Sequence, residues 1–419
     1  MEYSKTSKEL TSKLSKIDKK NNGIYFTPPS RVEHTIQLLQ PYIKNIKSVL
    51  EPSCGSCEYI TALHKVFPHL DITGIEYNET IYQSILPFNN DKIDINNIDY
   101  LKYETDIGYD LIIGNPPYFV MKKEEVDKKY HPYFEGRPNI FILFIIKSIQ
   151  LLNDEGILSF ILPKNFLNCL YYDKTRKYIG THFKILNIID CSYDKYIETQ
   201  QDTILLIIQK TIRCYDTNTN TNTNTNTNTN TNTNTVFILD INSYTIFANQ
   251  DSRQKIKKLY ENSKSLLDMG FKVSVGTVVW NQCKKLLTDD SAKTRLIYSS
   301  DIVNNTLIKK TYNNDDKKNF IDKQGITRPM IVINRGYGVG EYKFNYCLID
   351  ETNEYLIENH LICIEYTTDI PREELFSLYK KILSSLDDKR TAEFIAMYFG
   401  NNAINTTELN NIFPIYQDI

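Results

Sequence analysis

A chain of 419 residues is long for one ordinary domain and suits two of roughly 150 to 250 residues each. Its 41% apolar and 24% charged residues give the balance of a globular protein, and a net charge of −2 excludes a protein that gathers nucleic acid by its global field, so any such contact must come from local patches. Eight cysteines with one close pair, Cys54 and Cys57, lack the two-pair spacing of a zinc module, so a reduced, intracellular protein without metal is expected. Met1 is followed by polar residues, and no apolar run approaches the about 18 residues that span a bilayer, so neither a signal peptide nor a membrane span is expected.

In chain order, the first segment carries Lys5, Lys8, Lys13, Lys16, Lys19 and Lys20 against Glu2, Glu9 and Asp18, which reads as a solvated, fraying helix. From residue 48 to 210 short apolar runs alternate with helix-period segments. Ser48–Glu51, Asp71–Glu76, Asp110–Gly114, Gly156–Leu162, Lys184–Asp190 and Thr203–Lys210 read as strands; Ser56–Phe67 and Asn139–Leu152 read as helices, the latter apolar nearly all round. Such alternation predicts an α/β fold with a doubly wound sheet. The last two strands have only polar residues between them, which predicts a closing hairpin and one terminal antiparallel strand. Residues 217–235 alternate Thr and Asn without an apolar face and are read as a disordered insert, after which Val236–Asp240 resumes as a strand. Further on, Phe271–Trp280, Met330–Asn334, Tyr346–Ile349 and His360–Tyr366 read as strands and Glu373–Leu386 and Arg390–Phe399 as helices, giving a mixed α/β second domain over 251–419 after a first domain over 1–250.

The strongest chemical signal is the strand end Asn115-Pro116-Pro117-Tyr118. Two consecutive prolines fix φ and end the ladder, so the Asn115 side chain and the Pro116 carbonyl stand at the carboxyl edge of the sheet, where open α/β sheets bind ligands. Two such acceptors can take both hydrogens of a planar amine, and Tyr118 offers a face on which a planar substrate can stack. Read alone, the tetrapeptide also suits a plain strand-ending turn. Upstream, Glu51-Pro52-Ser53-Cys54-Gly55-Ser56 is a small-residue turn between strand and helix, which allows close approach of a nucleotide-like ligand. Glu76 ends the next strand, where a carboxylate meets ribose hydroxyls, and Asp99 follows the third apolar segment.

With these residues in this order, the chain resembles the γ-class adenine-N6 DNA methyltransferases of restriction–modification type. The resemblance implies a Rossmann-like methyltransferase sheet, S-adenosylmethionine as cofactor, and a C-terminal target-recognition domain. It implies that Thr27, Pro28, Glu51, Pro52, Ser53, Gly55, Glu76, Asp99 and Asn115 hold the cofactor. Asn115, Pro116, Pro117 and Tyr118 would form the catalytic motif, with Tyr196, or alternatively Tyr193, behind an extruded adenine. Leu162–Leu167 is similar to the family's strand-end segment near the substrate pocket. One departure is Cys57 where the family has a glycine, a change that would crowd the cofactor carboxylate.

In the second domain the resemblance extends to Trp280-Asn281-Gln282 and to a Phe413-Pro414-Ile415 tail. Lys284, Lys285, Lys309, Lys310, Arg328 and Arg335 are candidate phosphate or base contacts, and Arg335–Gly340 a DNA-facing or hairpin loop. Glu341-Tyr342-Lys343 spells a nuclease metal site but lacks its acidic partner, so no metal is expected there. The implied function is methyl transfer to adenine in double-stranded DNA by a monomer, with a separately encoded restriction endonuclease as a further partner. The alternatives are a protein-glutamine methyltransferase, an RNA adenine methyltransferase, and a non-catalytic DNA-binding specificity protein.

Overall fold

A computed structural model describes residues 2–199, 201–211, 234–314, 316–335, 344–398 and 404–419. By backbone contacts the chain splits into two compact units, Met1–Arg253 and Gln254–Ile419. Most of the Thr-Asn tract, Gln200, the glycine-rich loop from Gly336, the Glu341–Lys343 triplet and Phe399 lie outside the described residues.

The first unit opens with α1 (Lys5–Lys13), α2 (Lys16–Asn22) and α3 (Pro29–Leu39). Then follow β1 (Ser48–Glu51), α4 (Glu58–Val66), β2 (Asp71–Ile75), α5 (Glu79–Ile85), β3 (Ile93–Asn96) and β4 (Tyr109–Gly114). α6 (Ile140–Leu151), β5 (Leu152–Pro163), α7 (Asp173–His182), β6 (Phe183–Asp190) and β7 (Thr203–Lys210) complete the series. The seven strands form one sheet in the order β3-β2-β1-β4-β5-β7-β6, a doubly wound, Rossmann-like sheet. Strands β1 to β5 are parallel, and β7 runs antiparallel to both β5 and β6.

The β6–β7 hairpin closes the sheet, but its antiparallel strand is one place in from the edge rather than terminal. Side chains explain the order. β7 is buried on both faces, with Ile204, Leu206 and Ile208 on one core and Leu205 and Ile207 on the other, which suits an interior strand. β6 carries the exposed Lys184 and the half-buried Asn187 and tolerates the edge. The same period-two alternation runs through β4, where Ile112 faces one core and Leu111 and Ile113 the other.

α6 is apolar all round because it is enclosed in the first of these cores. Its single cation, Lys147, is satisfied by the carbonyls of Leu101 and Tyr103 and lies 5.2 Å from the centre of the Tyr100 ring. Burial lowers the Lys147 pKa.

Two readings of local order are corrected. Lys19 is buried, not solvated, and pairs with Glu198. Asn234, at the end of the Thr-Asn tract, is also buried: its amide donates to the carbonyls of Gly180 and Phe183 and accepts from the Ile185 N–H. It joins the end of α7 to the start of β6, two places where backbone groups need partners. A strand pair, Ile238–Ile241 with Tyr244–Phe247, follows and is bound to the rest of the unit by Arg176. This fully buried guanidinium donates to the carbonyls of Thr245, Phe166 and Cys169.

The second unit contains two four-stranded sheets. One is antiparallel, Phe271–Val275, Leu361–Tyr366, Met330–Asn334 and Tyr346–Ile349. The other is mixed, with Thr294–Ile297 parallel to Tyr355–Ile357. Helices Arg372–Asp387 and Lys389–Tyr398 follow. Among the described residues no helix is long and apolar enough to cross a membrane.

Replacing Arg176 by Met takes the side-chain donor from the buried Thr245 and Phe166 carbonyls, each worth about 1–3 kcal/mol. Urea denaturation should therefore show a loss on the order of 3 kcal/mol or more with an unchanged slope.

Candidate active site

The chain order of the sheet reverses between β1 and β4: β2 and β3 extend it to one side, β4 and β5 to the other. Ligands of such sheets lie at the carboxyl ends of the two strands that flank the reversal. Here those ends carry Glu51-Pro52-Ser53 and Asn115-Pro116-Pro117-Tyr118, and they are joined directly, because the Ser53 Oγ donates to the Asn115 carbonyl at 3.2 Å.

Asn115 is oriented by the N-terminal segment. Its Nδ2 donates to the Tyr25 carbonyl at 3.2 Å, which turns the Oδ1 acceptor the other way. The Tyr118 hydroxyl donates to that Oδ1 at 2.6 Å, and the Ile161 carbonyl lies 2.9 Å from the same hydroxyl. One hydroxyl proton cannot fully serve both acceptors, so a second donor can claim Asn115 while Tyr118 keeps Ile161. Behind the motif, Gly23 ends α2 at φ 63°, and a Cβ there would lie 2.6 Å from the Tyr118 nitrogen. Both the left-handed backbone and the close approach require glycine.

A cavity of about 330 Å³ opens beside these strand ends. Of the expected cofactor residues, Pro52, Ser53, Gly55, Glu76, Asp99 and Asn115 line it; Thr27, Pro28 and Glu51 do not. The sequence reading did not assign Asn22–Phe26, Ile98, Leu101, Phe119 or Phe144 to the cavity, although they line it. They are apolar or loop residues whose type carries no chemical signal. Pro117 also lines the cavity, whereas Tyr118 and Tyr196 do not. Tyr196 lines a smaller crevice with Lys19, Ile24, Tyr25 and Phe26, so residues 24–26 border both spaces. Tyr193, the alternative, is almost fully exposed. Pro163 and Phe166 of the Leu162–Leu167 segment are buried, and Lys164 pairs with Asp190.

The two cavity carboxylates are held by backbone. Glu76 accepts from the N–H groups of Gly55 at 2.9 Å and Asn78 at 2.7 Å, which ties the turn after β1 to the end of β2. Burial raises its pKa to about 7 against the lowering effect of those hydrogen bonds. Asp99 accepts from the Leu101 N–H at 3.0 Å. Glu51 is buried with Oε2 unpartnered, and burial, with Cys57 and nearby carboxylates, pushes its pKa well above the usual carboxylate range. Burial likewise raises the Tyr118 pKa, with Tyr196, Cys191 and Tyr59 adding to the effect.

Cys57 does not crowd the cavity. It adopts φ 62° at the start of α4, the conformation for which glycine is the usual choice, and its side chain is buried in the core. Cys54 and Cys57 are both free thiols. Among the described residues no cluster of His, Cys, Asp or Glu could hold a metal ion.

The geometry has relatives. Residues 9–197 match the Eco57I restriction-modification methylase family. The whole chain is 26% identical to the type II methyltransferase M.CvrRI of Paramecium bursaria Chlorella virus XZ-6E, over 97% of each chain. It is 32% identical to modification methylase CviBIII of Paramecium bursaria Chlorella virus NC1A over 43% of this chain and 48% of that one. Among solved structures, the DrdV–DNA complex shares the fold with a TM-score of 0.51 and 12% identity, over 98% of this chain and 57% of that one. The family match runs from within α1 to the Tyr196 loop and stops before β7.

In the second unit the six candidate cations differ. Lys284 pairs with Asp316 and lies 6.0 Å from the centre of the Trp280 ring, and Arg328 pairs with Glu365. Lys309 lies 4.5 Å from the centre of the Phe320 ring. Lys285 and Arg335 are exposed, and Lys310 is half-buried. Trp280–Gln282 forms a short 3-10 turn, and Phe413, Pro414 and Ile415 are buried.

Because Glu76 titrates near 7 when folded and near 4.5 otherwise, the unfolded chain ionises first as pH rises, so this group favours folding below about 4.5 and loses that effect through about 7. Glu76→Gln cannot ionise. The stability difference between Glu76→Gln and the native protein, from unfolding curves across that window, should shift in favour of the variant as pH rises.

Proposed function

We propose that this chain transfers a methyl group from S-adenosylmethionine to the exocyclic N6 of an adenine extruded from double-stranded DNA. The observation that carries this reading is Asn115: its amide nitrogen is engaged by Tyr25, so its oxygen is presented as an acceptor at the sheet's switch point beside the cavity.

The cavity fits the cofactor by the chemistry of its donors. Glu76 and Asp99 suit the ribose hydroxyls and the adenine amine, Ile98 and Leu101 the adenine faces, and the Pro52–Gly55 turn the methionine end. The unpartnered Glu51 Oε2 nearby suits its ammonium group. Thr27 and Pro28, outside the lining, would support that end through Phe26. When bound, S-adenosylmethionine supplies a methyl group activated by a sulfonium centre.

The chain's own residues prepare the nucleophile. The Asn115 Oδ1 and the Pro116 carbonyl accept the two amine hydrogens, which directs the nitrogen lone pair toward the methyl donor and offsets the positive charge that develops on the nitrogen. Pro117 keeps these acceptors rigid. Tyr118, released from Asn115 and still held by Ile161, stacks on one face of the base, and Tyr196 closes the other. Extrusion costs a few kcal/mol, which stacking and the two hydrogen bonds offset. The amine is neutral when it attacks, so no general base is required beforehand, and the proton leaves to solvent afterwards. The second unit is the target-recognition domain, with Lys285, Lys309, Lys310 and Arg335 as its candidate DNA contacts.

Incubation of mixed-sequence DNA with labelled cofactor, followed by nucleoside analysis, tests the reading. N6-methyladenine at a defined set of sites is the expected product. Label in N4-methylcytosine, in RNA only or in protein glutamine would replace adenine in DNA as the substrate, and cofactor binding without any transfer would point to a non-catalytic specificity protein.

A further inference from the structure

The loop from Cys191 to Asp202, between β6 and β7, carries Tyr196 and has no strand or helix among its described residues. It is nevertheless tied down on both sides of that tyrosine. Two residues before it, Asp194 receives Arg31 in a two-point contact, Nε to Oδ2 at 2.6 Å and Nη2 to Oδ1 at 3.0 Å. Two residues after it, Glu198 receives the Lys19 Nζ at 2.7 and 2.8 Å. The intervening Lys195 carbonyl accepts from the Tyr3 hydroxyl at 3.1 Å.

Both cations are withdrawn from water, with side-chain exposures of 5% for Lys19 and 9% for Arg31. Lys19 also donates to the Thr11 carbonyl, and Arg31 contacts the His34 ring. Burying such charges is costly, and a well-packed apolar pair of the same volume is often as stable or more so. Fold stability alone therefore does not call for them. What they add is direction: two-point ion pairs fix the orientation of a loop that apolar packing would leave free to slide.

The placement of the two cations along the chain is also specific. Lys19 precedes and Arg31 follows the segment 22–26, which lines the large cavity, borders the Tyr196 crevice and holds Asn115 through the Tyr25 carbonyl.

We infer that Lys19 and Arg31 are positioning residues for Tyr196, clasping its loop so that the ring is registered against the segment that orients Asn115. The inference deepens the proposed function and rests on it for the role of Tyr196. The clasp acts on the substrate base and not on the cofactor.

The test uses the full chain with Lys19→Met combined with Glu198→Gln, and separately Arg31→Gln combined with Asp194→Asn. Each pair removes the charges together and avoids an unpaired buried ion. Hydrogen exchange of the amides at 192–199 should quicken at least about tenfold, with α4 unchanged. The cofactor Kd should stay within about twofold, while kcat/KM for DNA falls by about tenfold or more. Lys19→Arg, which keeps the charge, should recover most of that loss. Unchanged exchange in the loop overturns the clasp in either pair, whether or not DNA is the substrate. Quickened exchange with kcat/KM within twofold of the native protein overturns its effect on Tyr196. Absence of methyl transfer by the native protein is a failure of the functional reading, and the exchange measurement still decides the clasp.

Discussion

The site depends on one hydrogen bond, from the Asn115 amide nitrogen to the Tyr25 carbonyl. An asparagine side chain has a donor end and an acceptor end, and only a fixed partner for the donor decides which way the acceptor points. The partner comes from a segment 90 residues earlier, so the acceptor is set by tertiary structure and not by the tetrapeptide. Gly23 brings that segment against Pro117 and Tyr118, and the end of α2 brings Gly23 there.

The remaining architecture delivers the partners to one place. Parallel strands put every carboxyl end on one edge, and the reversal between β1 and β4 leaves a gap there that helices do not fill. Glu76 ties the β1 turn to the β2 end, Ser53 ties the β1 turn to Asn115, and Lys147 reaches from α6 to the segment after Asp99. Each tie ends on backbone atoms, and those made by the buried Glu76 and Lys147 would be costly to break.

Much of the sheet was legible because its strands are buried on both faces and read as continuous apolar runs between turn signals. Asn115, Glu76 and Asp99, which line the cavity, stood out for a different reason: each is a polar residue at or just after the end of an apolar strand, on the edge where such sheets bind ligands. What could not be read depends on contacts distant in sequence. Lys19 resembles its exposed neighbours Lys16 and Lys20 until Glu198 is placed beside it. Asn234 belongs to a repetitive tract, and nothing in its local sequence marks it as a residue that meets the end of α7. The inward position of β7 also escaped the sequence reading, because strand order is set by edge-to-edge pairing between segments and not by the pattern within one strand. In the second unit the short strands at Leu287–Thr288, Thr294–Ile297 and Phe320–Ile321 have too few residues for a period to show.

The central claim is that the Asn115 oxygen acts on the substrate amine, while the other residues of the cavity carry most of the cofactor's binding. Methyl transfer by Asn115→Ala, measured beside its cofactor Kd, tests this most directly. The account predicts a loss of transfer of about a hundredfold or more, as for removal of a preorganised hydrogen-bonding group, with cofactor affinity held within severalfold. Transfer within tenfold of the native protein, or loss of transfer that tracks an equal loss of cofactor binding, would contradict it.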